Sequence, residues 1–555
     1  MDSSSSAPAP FVSSGISAWL NVNVHYWRLS SLALAALVVV PVVIIFAAWL
    51  QPASEVWRHL ADTVLAGLLR NTVVLILGVG AGVLVIGVGL AWLTAMCEFP
   101  GRRVFEWALM LPLAVPAYVL AFVMLGLLDY SGPLQSGLRR LLGVQADWLP
   151  AFRSEGGVIT VMVLAFYPYV YMLARVAFLS QGRNLLDSAR VLGLGAWGAF
   201  YRVALPMARP AVAAGVSLAL METLADFGAV SIFNYDTFTT AIYKAWLGLF
   251  SLGAAAQLAS LLLLFVFIAL FTEKRLRRKA RYESSGKLRM ERYRLRGLHA
   301  AAATGAAALV LLLAFIVPVT QLLVWVWQAA LQDLDVRYLR FFFNTLALGA
   351  AAALLTTFGA LMLAYTYRLR PDRLMRATVG VSTLGYALPG SVLAVGVMLS
   401  FVWLDRQIAL ALQALFGLSV GQLLTGSLIA LIVAYIVRFL AVGYGPVDSA
   451  FERIRPSILQ AARTLGASNW EILWRVSIPM LRTGLMSAVL LVFVEVMKEM
   501  PATLLLRPFG WDTLATRIFE MTSEGEWERA ALPAMTLVIA GLIPVMLLVR
   551  RGAAR

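Results

Sequence analysis

Apolar residues run through this chain in long unbroken stretches, and polar residues gather in short segments between them. Most of the stretches reach about 20 residues, the length that an α-helix needs to cross the hydrocarbon core of a bilayer. Because the apolar positions are continuous and do not alternate, the pattern predicts helices and not barrel strands. Twelve spans are predicted: Leu29–Leu50, Thr72–Met96, Val104–Leu127, Val158–Phe178, Ala211–Phe233, Leu252–Phe271, Ala302–Gln328, Thr345–Tyr367, Val379–Val402, Gly426–Tyr444, Gly484–Val496 and Ala531–Val549.

Composition agrees with this pattern. The 555 residues are 61% hydrophobic and 13% charged, with a mean hydropathy of +0.83, whereas soluble domains are nearer half apolar and a quarter charged. We therefore predict an all-α polytopic membrane protein. The single cysteine, Cys97, excludes an internal disulfide and a multi-cysteine metal site.

Net charge is +16, which in a soluble protein would suggest nucleic acid as a partner. Here the arginines concentrate in alternate polar segments, for example Arg183–Arg209 and Arg453–Arg482, while the intervening segments are balanced. This is the positive-inside pattern of membrane proteins. It predicts that both termini lie in the cytoplasm and that no nucleic acid is bound.

One polar segment occurs twice. Asp187–Arg209 and Gln460–Arg482 align without a gap at a separation of 273 residues (460 − 187), and 10 of the 23 positions are identical. The same separation relates Asn71 to Asn344, Pro116 to Pro389 and Glu222 to Glu495. The sequence therefore predicts two homologous halves of six spans each, related as parallel repeats.

The predicted organisation follows from these halves. Residues 1–28 form a cytoplasmic tail, 29–272 the first half, 273–299 a cytoplasmic linker and 300–555 the second half. The linker segment Glu273–Gly297 holds 11 basic and 3 acidic residues. Such a charge is typical of a segment held near anionic headgroups, and regulatory binding is the alternative.

Each copy of the repeated segment reads as two short helices joined at a glycine. In the second copy Ile458–Leu465 is the first helix, Gly466 ends it in the left-handed conformation, and Ser468 with Glu471 forms a capping box. Pro206 and Pro479 mark the return of the chain into the membrane.

This spacing of small residues, glycine and proline resembles the EAA loop of permease subunits of binding-protein-dependent ABC importers. The matching positions are Asp187, Ser188, Ala189, Gly193 and Pro206 in the first copy, and Gln460, Ala461, Ala462, Gly466 and Pro479 in the second. Neither copy carries the initial glutamate of the motif, and Ser188 replaces its first alanine.

The resemblance implies a type I importer fold in the bacterial inner membrane, with both termini in the cytoplasm. It implies that two copies of a cytoplasmic ATPase grip the two loops and that a periplasmic solute-binding protein delivers the solute. The chain itself contains no G-x-x-x-x-G-K-[ST] segment. We therefore expect no enzymatic activity and no cofactor on this chain, with ATP and magnesium bound by the partner.

The segments after the two loops carry acids at matched positions: Glu222 and Asp226 in the first half, Glu495 and Glu499 in the second. Their spacing would put each pair on one helical face, and acids within spans usually face a pathway. These segments resemble those of bacterial ferric iron permeases, so the acids are candidate pathway residues, without a permanent metal site. A thiamine permease and an ion-coupled secondary transporter are the alternatives.

Overall fold

The computed structural model describes residues 13–50, 55–130, 132–142, 151–180, 193–278 and 292–553. Within these residues, twelve helices are long and apolar enough to cross a membrane. The prediction of an all-α polytopic protein is therefore confirmed.

The helices of the first half, followed by those of the second, have these bounds. They are Ser13–Ala47, Glu55–Thr63, Leu65–Met96, Arg102–Ala108, Ala117–Leu128, Pro133–Leu142, Glu155–Ser180, Ala196–Ala199, Leu205–Ala225, Gly228–Ile232, Phe238–Tyr243 and Leu252–Arg278. They continue as Gly297–Leu311, Val317–Asp333, Val336–Leu369, Arg373–Ser382, Gly390–Phe416, Leu428–Phe451, Pro456–Thr464, Asn469–Glu471, Ile478–Lys498, Pro501–Leu506, Leu514–Ser523 and Trp527–Ala553.

Two predicted spans are interrupted where proline occurs at matched positions. Val104–Leu127 was predicted as one helix, but a new helix begins at Ala117, after Pro116 in an extended conformation. In the same way a new helix begins at Gly390, after Pro389. Proline lacks the backbone N–H that a continuing helix would need, and it pushes the preceding residue towards extended geometry.

The chain divides into two compact units, and each contains segments from both sequence halves. One comprises Met1–Val40, Gly349–Tyr386 and Tyr435–Val496; the other comprises Pro41–Leu348, Ala387–Ala434 and Met497–Arg555. The core of the first includes Leu363, Tyr365, Leu440, Phe451 and Leu473.

In the second unit, helix Leu65–Met96 packs closely against helix Glu155–Ser180 through glycine. A Cβ on Gly82 would lie 2.4 Å from Val163 Cγ2, and one on Gly87 would lie 2.6 Å from Val170 Cβ. Small residues permit this close approach of backbones between membrane helices. A short parallel bridge, Cys97–Glu98 with Tyr293–Arg294, ties the end of the linker to this unit.

Candidate functional site

The second copy of the repeated segment has the predicted helix–turn–helix. Helix Pro456–Thr464 is followed by Leu465 and then by Gly466, whose φ of 83° is left-handed. The Gly466 N–H donates to the Arg463 carbonyl at 2.9 Å and the Ala467 N–H to the Ala462 carbonyl at 3.1 Å. This pair of bonds is a Schellman motif, which satisfies the last carbonyls of the helix and fixes the turn.

The helix that follows is capped as predicted. The Ser468 hydroxyl accepts from the Glu471 N–H at 3.2 Å, and the Glu471 carboxylate accepts from the Ser468 N–H at 2.9 Å. Because each residue satisfies the other's backbone donor, the angle between the two short helices is set by local bonds.

This segment presents an unusually open surface. Helix Pro456–Thr464 has no buried residue, and Leu465 and Trp470 are 88% and 53% exposed. The predicted coupling residues Gln460, Ala461 and Gly466 are exposed too. Exposed apolar side chains beside small residues are typical of a surface that another protein covers.

The first copy is described only in part. Asp187, Ser188 and Ala189 lie outside the described residues. Gly193 is exposed and left-handed, with a φ of 80°, and so corresponds to Gly466. Pro206 stands at the second position of helix Leu205–Ala225.

A π-helical turn lies at the same place in both copies, Phe200–Ala204 and Ile472–Ser477. It precedes Pro206 in the first copy and Pro479 in the second. Neither proline has an N–H for the carbonyl four residues earlier, and the ring would crowd that carbonyl. The wider π-turn relieves this conflict, and such turns concentrate at functional positions.

An aromatic cluster packs against the second copy of the repeated segment. The Trp27 ring centroid lies 5.2 Å from that of Tyr365 and 5.8 Å from that of Trp470. The Tyr365 hydroxyl donates to the Asn469 carbonyl at 2.6 Å, and Arg28 forms an ion pair with Asp372. The residues at the start of the first span thus pack against the loop of the second half.

A corresponding cluster supports the first copy. Trp92 lies 4.8 Å from Phe200 and 6.2 Å from Tyr293, between ring centroids. Arg292, beside Tyr293, donates to the Ala95 carbonyl at 3.2 Å. The residues just before the first span of the second half therefore pack against the first half.

Sequence reasoning missed both clusters. The signal was present, because Trp92 and Tyr365, and likewise Phe178 and Phe451, are 273 residues apart. These positions lie outside the polar segments that carry the motif, so a search limited to that motif passes over them.

The four candidate pathway acids fall into two pairs. Glu222 and Glu495 are half-buried on helices Leu205–Ala225 and Ile478–Lys498. Asp226 and Glu499 come directly after the ends of these helices. The expectation that each pair shares one helical face is therefore wrong, because the helix ends between its two members.

Asp226 and Glu499 make the same kind of bond. Asp226 Oδ1 accepts from the N–H groups of Ala229 and Val230 at 2.9 and 3.2 Å. Glu499 Oε1 accepts from the Ala502 N–H at 3.1 Å. Each carboxylate therefore caps the short helix that follows the interruption.

The breaks after Ala225 and Lys498 lie close to the start of helix Ala117–Leu128, within the second unit. A Cβ on Gly228 would lie 2.6 Å from Tyr118 Cβ and 2.5 Å from Met500 Cε, so only glycine fits there. The Tyr118 hydroxyl donates to the Lys498 carbonyl at 3.4 Å. Tyr118 also lies within electrostatic reach of Asp226 and Glu499. Non-helical backbone within a membrane protein is tolerated where it is buried in protein or lines a cavity, and Tyr118, Gly228 and Met500 are buried here.

The turn beyond each short helix is fixed by an asparagine. The Asn71 amide donates to the Asp236 carbonyl at 3.0 Å, and the Asn344 amide donates to the Asp512 carbonyl at 3.1 Å. The Tyr235 hydroxyl donates to the Asn71 carbonyl at 3.1 Å. Burial, with Glu155 nearby, raises the pKa of Tyr235 to about 12, so this donor stays protonated at neutral pH.

Among the residues that the structure describes, no group of three or more His, Cys, Asp or Glu side chains is placed to hold a metal ion. The acids near the interruptions instead bond to backbone N–H groups.

The chain was compared with solved structures and with curated proteins. A crystal structure of a bacterial alginate ABC transporter matches with a TM-score of 0.34 and 15% identity, covering 44% of this chain and 91% of that chain. The Fe(3+)-transport system permease protein FbpB 2 of Haemophilus influenzae is 28% identical over 496 residues, which are 87% of this chain and 90% of that protein.

Shorter matches involve permeases with other names. The molybdenum transport system permease protein ModB of Escherichia coli is 32% identical over 26% of this chain and 62% of that protein. The sulfate transport system permease protein CysW of Escherichia coli is 31% identical over 38% of this chain and 72% of that protein.

A family model described as the binding-protein-dependent transport system inner membrane component matches twice, at residues 83–282 and 356–555. The second match begins 273 residues after the first (356 − 83), which is the separation of the repeated segments. The two matches together cover more than half of the chain. The protein therefore belongs to the inner-membrane components of binding-protein-dependent transport systems, with two permease halves fused in one polypeptide.

Proposed function

We propose that this chain is the membrane-spanning permease of an ABC importer that carries ferric iron from the periplasm to the cytoplasm. The single observation that carries the iron assignment is the match to an Fe(3+)-transport permease along 87% of the chain. Two cytoplasmic ATPase subunits bind the two repeated segments and supply ATP and magnesium. A periplasmic binding protein presents the solute, and both termini lie in the cytoplasm.

The repeated segments suit the ATPase contact. Helix Pro456–Thr464 has no buried residue, although Leu459 packs against the core, and a left-handed turn at Gly466 follows it. A π-turn connects each segment to its following span. Closure of the ATPase pair would draw the two segments together and turn the spans behind them, which opens the path outward. Hydrolysis would return the path to the cytoplasm, as in alternating access.

Glu222 and Glu495 are the acids best suited to the solute pathway. Both are half-buried one turn before a helix ends, and neither acts as the cap, a role that Asp226 and Glu499 fill. Hard carboxylate oxygens favour a hard cation such as ferric iron. We expect these two side chains to lower the barrier to the cation without holding it.

The test is uptake of radioactive ferric iron by vesicles that hold this protein, its ATPase and its binding protein. The double variant Glu222→Gln, Glu495→Gln should lose uptake while still binding the ATPase. Glu524→Gln with Glu528→Gln is the matched control, since both of these acids are exposed. Normal uptake by the Glu222, Glu495 variant would remove these residues from the pathway.

A second candidate is an oxyanion importer, which the matches to molybdenum and sulfate permeases favour. The same vesicles should be offered molybdate, sulfate and thiamine beside ferric iron. Preferential uptake of molybdate or sulfate would overturn the iron assignment, and uptake of thiamine would do the same. Uptake of any solute without the ATPase would favour an ion-coupled carrier instead.

A further inference from the structure

A groove runs along one side of the first half, and we call it the lateral groove. Its walls are helices Leu65–Met96, Leu205–Ala225 and Leu252–Arg278, all of them membrane spans. The cavity measures about 790 Å³. It belongs entirely to one compact unit, and Leu205, Pro206 and Arg209 in its lining are the last part of the first repeated segment.

The lateral groove opens sideways onto the apolar surface of the spans. Leu77 and Ile268, which line it, are 66% and 65% exposed. In a bilayer these side chains face hydrocarbon. The acyl chains of the surrounding bilayer can therefore enter this open apolar cavity.

Most of the lining is apolar, and the charged exception is at one end. Arg209 lines the groove near the start of its helix, three residues after Pro206, and its side chain is exposed. On the opposite helix Thr272 lines the groove, and it is followed in the sequence by one acid, Glu273, and by four basic residues, Lys274, Arg275, Arg277 and Arg278. Positive charge at this end complements an anionic headgroup of the cytoplasmic leaflet.

A second polar feature lies at the same end. Pro206 and Pro210 both line the groove, and Pro210 has no N–H to give the Pro206 carbonyl its usual helical bond. In lipid such a carbonyl needs another donor. A headgroup hydroxyl beside Arg209 would supply one. In the second half the position of Pro210 is taken by Thr483, which keeps its N–H.

The length of the groove suits one acyl chain. Its lining on helix Leu205–Ala225 extends from Leu205 to Leu224. From Arg209 to Leu224, at 1.5 Å per residue, the lining is roughly 22 Å long, longer than the roughly 15 Å of one leaflet. A chain whose headgroup meets Arg209 can therefore lie within the groove along its whole length.

We propose that the lateral groove binds one anionic phospholipid of the cytoplasmic leaflet, with its phosphate at Arg209 and an acyl chain between the three helices. Because helix Leu205–Ala225 continues directly from the first repeated segment, the bound lipid stiffens the connection between that segment and the spans. This inference rests on the cytoplasmic position of the repeated segments and not on the identity of the solute.

The experiment is native mass spectrometry of the full-length protein, delipidated in mild detergent and then offered dioleoyl phosphatidylglycerol or phosphatidylcholine. Wild type should retain one phosphatidylglycerol in preference to phosphatidylcholine. Arg209→Gln should weaken retention about tenfold, the equivalent of one charge-assisted contact, whereas Arg209→Lys should largely preserve it. Ala213→Trp should fill the groove and abolish retention of either lipid.

The second half provides matched controls, because Arg482 and Met486 stand 273 residues after Arg209 and Ala213. Arg482→Gln and Met486→Trp should retain the lipid as wild type does. Equal loss in Arg209→Gln and Arg482→Gln, or unchanged retention in Ala213→Trp, would overturn the proposal. Displacement of the lipid by millimolar inorganic phosphate would overturn it too, since the apolar groove would then contribute nothing. None of these readouts needs the ATPase or the solute, so their failure is distinct from failure of the transport function.

Discussion

The turn that follows the interrupted span occurs once in each half, and the two copies share their backbone bonds but not their side-chain surroundings. Asn71 and Asn344 fix equivalent carbonyls. Thr237 and Thr513 each form a capping box. In contrast, Phe233, three residues before Asp236, is 4% exposed and packs against Phe152, whereas Phe509, three residues before Asp512, is fully exposed.

This difference separates two kinds of repeated residue. Polar side chains that satisfy backbone groups recur because the turn cannot form without them. Side chains that point away from the turn are free to differ, and there each half has acquired its own surroundings. Substituting the corresponding residue in each half and comparing the two effects therefore distinguishes two classes. Residues that satisfy backbone groups should have similar effects in both halves, whereas residues that differ in packing should have an effect in one half only.

The aromatic pair should show the largest contrast. Phe233→Ala should lower the free energy of unfolding by about 3–5 kcal/mol, because it empties a buried site against Phe152. Phe509→Ala should change it by less than about 0.5 kcal/mol, as for other exposed positions. Thermal unfolding of the detergent-solubilised variants measures both. Similar losses in the two variants would show that Phe509 is covered in the folded protein.

The two turn glycines should come next. Gly193 and Gly466 have left-handed backbones, and a Cβ on either would meet open space. Valine there should therefore act only through the backbone, at about 1–2 kcal/mol. We expect Gly466→Val to lower ATP-driven uptake about tenfold, and Gly193→Val to do the same. Asparagine, which tolerates this conformation, should restore most of the uptake. Wild-type uptake in both valine variants would contradict the coupling role of the turns.

The turns and spans show which parts of the structure could be predicted from the sequence. The duplicated segment predicted the Gly466 turn and the Ser468–Glu471 capping box, because those structures depend on local bonds alone. The apolar stretches predicted twelve spans, because a span depends only on the length and composition of its own segment. The interruptions at Pro116 and Asp226 were not predicted. The apolar residues on both sides of Pro116 and Asp226 suggested continuous spans, although a proline and an acid are themselves signals of a break. In the structure, Gly228 packs closely against Tyr118 beside both breaks.

A third prediction concerns Asp226 and Glu499, each of which caps the short helix that follows it. Asp226→Ala and Glu499→Ala should each lower the free energy of unfolding by about 0.5–2 kcal/mol, because the N–H groups of the following helix lose their acceptor. Asp226→Asn and Glu499→Gln keep an acceptor oxygen, so they should retain both stability and uptake. Loss of uptake in these two variants at unchanged thermal stability would instead assign the carboxylate charge to the solute pathway.

The smallest expected change in the free energy of unfolding concerns Thr72 and Thr345, where the two halves should differ in its sign. The Thr345 hydroxyl accepts from the Leu514 N–H at 2.9 Å and donates to the Phe341 carbonyl at 2.7 Å. The Thr72 hydroxyl is equally buried, but within the described part of the chain it has no hydrogen-bond partner.

Valine should therefore act differently at the two positions. Thr345→Val should lower the free energy of unfolding by about 1–2 kcal/mol, because the Leu514 N–H is left buried without an acceptor. Thr72→Val removes a polar group that has no partner to lose, so stability should stay the same or rise slightly. Thr345→Ser keeps the hydroxyl and serves as the control. If both valine variants unfold at the same temperature, the two halves use this threonine alike.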